Sequence, residues 1–190
     1  MSVIDLNAQS SFNYFTCHFY REPQRGYLQL GCEKTIYLCF DLPLWIQNTL
    51  VQEARLILYK LPCHTFCAGE AADIKTCGMF TIYPLAEVFN AYGCLACPPV
   101  VDTGRSVEFI DTPKSYTEVD ITHIVQAWNA GAIDNNGILI MGRECSSVIF
   151  YASDQNCISE IRPILRLTLK NFCPTSSLQS VDCEAKVTSP

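Results

Sequence analysis

Apolar and polar positions alternate along most of this chain, and turn residues interrupt the alternation at short intervals. Phe12 to Tyr20 reads as a strand, with Phe15, Cys17 and Phe19 on one face and Tyr14, Thr16, His18 and Tyr20 on the other. Residues 26–31 form a second, shorter strand. Lys34 to Asp41 form a third, which Pro43 stops. The clearest alternation covers residues 52–60: Ala54, Leu56 and Leu58 face one way, Arg55, Ile57 and Tyr59 the other. Residues 78–83 and 105–110 are weaker strand candidates. Residues 116–121 lead into a short helix over 122–130, capped by Thr122 and ended by Gly131, with Ile124, Val125 and Trp128 on its buried side. Gly137–Met141, Ser147–Ala152 and Arg162–Leu169 are again β-rich, and Asn135-Asn136-Gly137 and Ser153–Asn156 are turns.

Many short strands with a single helix predict an all-β fold, a jelly-roll β-sandwich. No internal repeat or coiled-coil heptad interrupts that pattern. The ends differ from the body. Residues 1–11 are small and polar, so residues 1–20 read as an N-terminal extension with its own strand. Residues 21–170 read as the sandwich. Residues 171–190, with Cys173, Pro174 and Cys183, read as a C-terminal tail. Both extensions are expected to be ordered against the domain or a neighbour.

Charge narrows the partners. Thirteen basic and 19 acidic side chains give a net charge of −6, and no Lys/Arg run exists to track phosphates, so nucleic acid is not an expected partner. No stretch approaches the roughly 18 uninterrupted apolar residues of a membrane span. Charged residues are 17%, against about 25% in ordinary soluble proteins, while apolar residues are 49%. That balance implies a surface covered by partners or by copies of the chain.

Twelve cysteines, at 17, 32, 39, 63, 67, 77, 94, 97, 145, 157, 173 and 183, stand out most. A domain of 190 residues does not need staples to fold, so the cysteines call for another purpose: cross-links between chains, metal binding or durability. The opening Met1-Ser2-Val3-Ile4-Asp5-Leu6-Asn7 has no basic segment, apolar core or small-residue cleavage site of a signal peptide. Synthesis in a cytoplasm is in tension with disulfides. Zinc, oxidation after the cell lyses, or a signal peptide already removed would each resolve it.

Val119-Asp120-Ile121-Thr122-His123-Ile124-Val125-Gln126-Ala127-Trp128, then Gly131 and Asn136-Gly137-Ile138-Leu139-Ile140, resembles the DNRLRE family's "DVT", "lVqeW", Gly and "NyGfll". Ile149-Phe150-Tyr151-Ala152-Ser153 is similar to its "fySsE", and Arg162-Pro163-Ile164-Leu165-Arg166-Leu167 to its closing "rPkLxvxY". Upstream, Tyr37-Leu38-Cys39-Phe40-Asp41-Leu42 resembles "yLkFDls" and Ala54-Arg55-Leu56-Ile57-Leu58-Tyr59 resembles "AkLrLy". These motifs fall in order over roughly residues 26–170. The resemblance implies a jelly-roll sandwich of the kind found in secreted or surface proteins of bacteria, serving as carbohydrate-binding modules or as adhesive, structural domains. Two features depart from the family. The segment Phe89 to Pro99 lacks the usual Trp-Glu and "vTW", and the family is normally poor in cysteine.

Cys63-His64-Thr65-Phe66-Cys67 and Cys94-Leu95-Ala96-Cys97 pair a CxxxC with a CxxC. Four thiolates so spaced, with His64 as a further candidate, can hold zinc; disulfides are the favoured reading, and free thiols a third. Cys145 and Cys157 join this set as intrachain disulfide or metal candidates. Cys94–Cys97 as a redox pair lacks the βαβ context such motifs need. Cys39 lies on the strand face opposite Leu38 and Phe40, so a core filled by those two turns it outward or toward a covering segment. Cys17, Cys173 and Cys183 lie outside the sandwich. They either pin the ends to their own domain or, with Cys39, bridge to a neighbouring subunit.

No catalytic reading competes. GxSxG, HExxH, P-loop and GxGxxG motifs are absent, and acidic residues are scattered rather than paired. His18 and His64 join no such motif, and His123 reads as a surface or satisfied position. Asp41 and Asp120 read as holders of turns. Sugar stacking needs an exposed aromatic, and Trp45, after Pro43, is the candidate; Trp128 reads as core. The expectation is a non-enzymatic structural protein that polymerises with itself into a disulfide-cross-linked filament, appendage or coat on a bacterial spore or cell surface, made without a signal peptide. Other spore or cell-surface proteins and glycans are further expected partners. A secreted carbohydrate-binding or adhesive module and a zinc-stabilised domain are the alternatives.

Overall fold

Alternation decides which side of each strand faces inward, and the computed structural model shows two sheets facing each other across those inward side chains. The structure describes residues 1–15, 20–21, 25–31, 33–47, 49–62, 78–89, 99–142 and 148–170. Among them the strands are β1 (Ser2–Asn7), β2 (Ser10–Phe15), β3 (Tyr20–Arg21), β4 (Tyr27–Leu30), β5 (Lys34–Cys39), β6 (Val51–Tyr59), β7 (Met79–Pro84), β8 (Val107–Ile110), β9 (Tyr116–Asp120), β10 (Ile138–Gly142), β11 (Ile149–Ala152) and β12 (Ile164–Leu169). One helix, α1 (Thr122–Asn129), separates β9 from β10. It is too short to cross a membrane.

The four-stranded sheet runs β1-β12-β6-β9 and the six-stranded sheet runs β3-β2-β5-β10-β7-β8, with antiparallel neighbours throughout. β4 and β11 form a separate pair. Lettered B to I in chain order, β1, β5–β10 and β12 lie B-I-D-G in one sheet and C-H-E-F in the other. That is the connectivity of a jelly roll. The expected all-β sandwich with one short helix is the fold.

Inward positions are filled to exclusion of water. Leu165, Leu167 and Leu169 of β12 are fully buried, while Arg166 between them faces out. Ala54, Leu56 and Leu58 of β6 pack beside them, and Ile36, Leu38, Phe80, Ile82, Ile138 and Ile140 meet them from the other sheet. Each such leucine, isoleucine or phenylalanine contributes about 1.5–3 kcal/mol when removed from water. Helix α1 closes one flank, with Ile124, Val125 and Trp128 buried. Gln126 donates to the Val51 carbonyl at 2.8 Å and Asn129 to the Thr49 carbonyl at 2.8 Å, fixing α1 on the start of β6.

Thr122, expected to cap α1, does something else. Ile121 holds the cap position, and Thr122 Oγ1 accepts from the Ala54 amide at 2.9 Å. Asp120 supplies the turn, accepting from the Thr122 amide at 2.9 Å and from its hydroxyl at 2.6 Å. Gly131, with φ 65°, ends the helix as expected.

The N-terminal residues are part of the sandwich. β1 pairs with β12 over six positions, Ser2 opposite Leu169 through Asn7 opposite Ile164. Ile4 and Leu6 pack against the core, and Asp5 takes two 2.8 Å hydrogen bonds from Arg166. β2, expected over 12–20, begins at Ser10. Asn13 on β2 is buried and holds β4 as a third strand would: its Nδ2 donates to the carbonyls of Gln29 at 2.5 Å and Thr35 at 3.1 Å. Its Oδ1 accepts from the Gln29 amide at 2.8 Å.

Candidate functional site

Of the candidate cysteines, Cys39 and Cys157 fall within the described residues, and both are free thiols. Cys17, Cys63, Cys67, Cys94, Cys97, Cys145, Cys173 and Cys183 lie outside them, as do Cys32, Cys77, His18 and His64. The zinc reading of Cys63, Cys67, Cys94 and Cys97 therefore also lies outside. Among the described residues, no three His, Cys, Asp or Glu side chains gather in a metal-binding group.

Cys39 ends β5 between buried Leu38 and Phe40, and is half-buried itself. The alternation thus placed it correctly, on the face away from the core. Burial pushes its thiol up from the ordinary range. The Asp41 charge pushes the same way, against a hydrogen bond with Tyr37. A thiol held protonated is a poor nucleophile.

Cys157 is exposed, and its loop is tightly tied. Ser11 and Asp154 bond reciprocally: the Asp154 carboxylate accepts from the Ser11 amide at 3.1 Å and from its hydroxyl, while the Asp154 amide donates to that hydroxyl at 3.0 Å. Asn156 Nδ2 donates to the Gly26 carbonyl at 2.7 Å, and Asn156 Oδ1 accepts from the Ile158 amide at 2.9 Å. Arg162 donates twice to the Asn156 carbonyl, at 3.0 and 2.8 Å. The turn expected at Ser153–Asn156 is present, closed by the Asn156 amide on the Ser153 carbonyl at 3.1 Å. These bonds fix an accessible thiol in one place, beside a 52% exposed Ile158.

The outer face of the four-stranded sheet carries a charged row in one register: Asp5 on β1, Arg166 on β12, Arg55 on β6 and Asp120 on β9. The two guanidiniums sit on adjacent strands, a repulsive arrangement that the flanking acids offset. Arg166 holds the Asp5 carboxyl below its usual range through its hydrogen bonds, and Asp5 raises Arg166 in return. Arg55 donates to Glu53 at 2.8 and 2.6 Å, which raises it. Burial pushes Asp120 up, but the bonds from Thr122 and the Arg55 charge outweigh it and leave it lowered. Beside this row lies an open groove of about 360 Å³, lined by Arg55, Arg166, Glu53, Glu118, Lys114 and Tyr116. The Tyr116 ring also lies beside that of Tyr59, with ring centres 6.3 Å apart. Single strands did not announce this groove, because its residues come from β6, β8, β9 and β12 and from the loop that joins β8 to β9.

Trp45 is 50% exposed, in the 3₁₀ turn Leu44–Ile46, and Trp128 is buried, both as expected. His123 is exposed, with Nε2 3.1 Å from the Arg105 carbonyl. No family model matches the chain, and no curated protein matches it.

Proposed function

We propose that this chain is a non-enzymatic structural subunit, a cysteine-rich relative of the DNRLRE type. It polymerises with copies of itself into a disulfide-cross-linked filament or coat on a bacterial spore or cell surface. The observation that carries the reading is Cys157: a free, exposed thiol on a loop held by hydrogen bonds from three sides. Such a thiol reaches a neighbour's cysteine without distorting its own sandwich.

Two further features support it. β1 and β8 each have a strand neighbour on one side only among the described residues, so each offers an edge to which an extended segment can add. Leu44, Val88 and Ile110, 79%, 79% and 61% exposed, give apolar surface for contact between copies. Head-to-tail repetition of a contact that does not close generates a filament.

Electron microscopy and denaturing gels of native material, with and without reductant, test this. Fibres that survive detergent and fall to the monomer only on reduction are expected. A monomer in both conditions refutes it. A second reading, a glycan-binding module, draws on the groove beside Arg55, Arg166 and Tyr116 and on exposed Trp45. It requires sugar-dependent quenching of Trp45 fluorescence or loss of glycan binding on Tyr116→Ala.

A further inference from the structure

Where β6 ends, Lys60 turns into the space between the two sheets. Its amine lies 2.6 Å from Oδ1 of Asp111, the residue that follows β8. The Asp111 side chain is 1% exposed and that of Lys60 15%. The backbone holds both firmly. The Lys60 amide donates to the Ser115 carbonyl at 2.9 Å, the Leu61 amide to Phe150 at 2.8 Å, and the Asp111 amide to Gly78 at 3.2 Å. The Lys60 amine also donates to the Thr112 carbonyl.

The carboxylate is served unequally. Oδ1 accepts from Lys60 and from Thr117 Oγ1 at 3.0 Å, and Thr117 Oγ1 lies 2.8 Å from the Tyr151 hydroxyl. Oδ2 is buried and has no hydrogen-bond partner among the described residues. An ion pair leaves that oxygen desolvated and unpaired, which is unfavourable. Loss of the oxygen removes the difficulty.

We propose that Lys60 and Asp111 condense into an intramolecular isopeptide bond that joins the four-stranded sheet to the six-stranded sheet. The Nζ–Cγ bond forms and the Cγ–Oδ2 bond breaks. Oδ2, which no hydrogen bond restrains, takes the two protons that Nζ gives up and leaves as water. Ammonium plus carboxylate thus become amide plus water, with no change of oxidation state and no co-reactant. Proximity supplies the drive: amine and carboxyl are held in contact by rigid elements, so the entropy of bringing them together is already spent. Thr117, backed by Tyr151, donates to Oδ1 as negative charge develops there. Tyr151 is suited to this because burial keeps its hydroxyl protonated.

Intact mass spectrometry of the reduced full chain reads the reaction directly. The expected mass is one water below that of the sequence, and a tryptic map should show Lys60 uncleaved, within a branched peptide that carries Asp111. Lys60→Arg and Asp111→Ala should each restore the full sequence mass. A wild-type chain at full mass overturns the proposal, as does a one-water loss that maps elsewhere. Both readings come from the wild-type chain, so they hold even where a variant fails to fold. Neither depends on whether the subunit polymerises.

Discussion

Asn13→Ala is a demanding test of how the sheets are joined. Asn13 is 4% exposed, and its amide replaces a strand pairing between β2 and β4. Its loss leaves the Gln29 N–H and C=O unmet on that side, because the other side of β4 pairs with β11. Each unmet buried group costs about 1–3 kcal/mol. Gln29 is only half-buried, so water recovers part of this, and we expect a loss of about 2–4 kcal/mol. Urea unfolding should show it as a lower midpoint with an unchanged slope. In a chain of this size a loss near 3 kcal/mol lowers Tm by roughly 6–12 °C. Asn13→Asp keeps an acceptor for the Gln29 amide but turns a carboxylate oxygen toward the Gln29 and Thr35 carbonyls. It should therefore be at least as destabilising as alanine, although it preserves volume. A loss under about 1 kcal/mol for alanine, or a milder aspartate, would refute the strand-substitute role.

The other expectations are more local. Iodoacetamide labelling of the reduced native chain should modify Cys157 well before Cys39, because burial holds the Cys39 thiol protonated; the reverse order contradicts the assignment. Asp5 has a lowered carboxyl in the folded state, so the stability it contributes is present above the ordinary carboxylate range and lost as pH falls through the lowered value. Asp5 and Arg166 are 41% and 46% exposed, which limits that contribution to under about 1 kcal/mol. Asp5→Asn should shift the urea midpoint slightly near neutral pH and not at all in strong acid. Gly137→Ala should cost about 2–4 kcal/mol by thermal or urea unfolding, since Gly137 has φ 93° and an added Cβ would meet the Leu38 carbonyl oxygen at 2.7 Å. A neutral Gly137→Ala would mean that this turn relaxes freely.

Strands with long, regular alternation could be read from the sequence because one face of each is buried. β6 and β12 are the examples, and in both the outward arginine marks the phase. The side of β5 that carries Cys39 followed from the same rule. β1 was harder. Its Ile4 and Leu6 alternate with Val3, Asp5 and Asn7, but six residues of mixed polarity do not distinguish a strand from a polar extension. Pairing with β12, more than 150 positions away, makes it one. Thr122 shows a second limit. A threonine before an apolar turn predicts a cap, yet tertiary contact with Ala54 recruits its hydroxyl and leaves the turn to Asp120. The groove and the Lys60–Asp111 pair were illegible for the same reason. Their chemistry comes from residues brought together by strand register, and neither residue of the pair stands out in its own segment.

The most direct measurement of the central claim is the state of native material on a denaturing gel, paired with electron microscopy of the same sample. Cross-linked assembly predicts ordered polymers that resist detergent and yield the 21.3 kDa chain only after reduction. It also predicts that Cys157→Ser shortens or weakens them. A chain that runs as a monomer without reductant and shows no ordered polymer in the microscope would contradict the account.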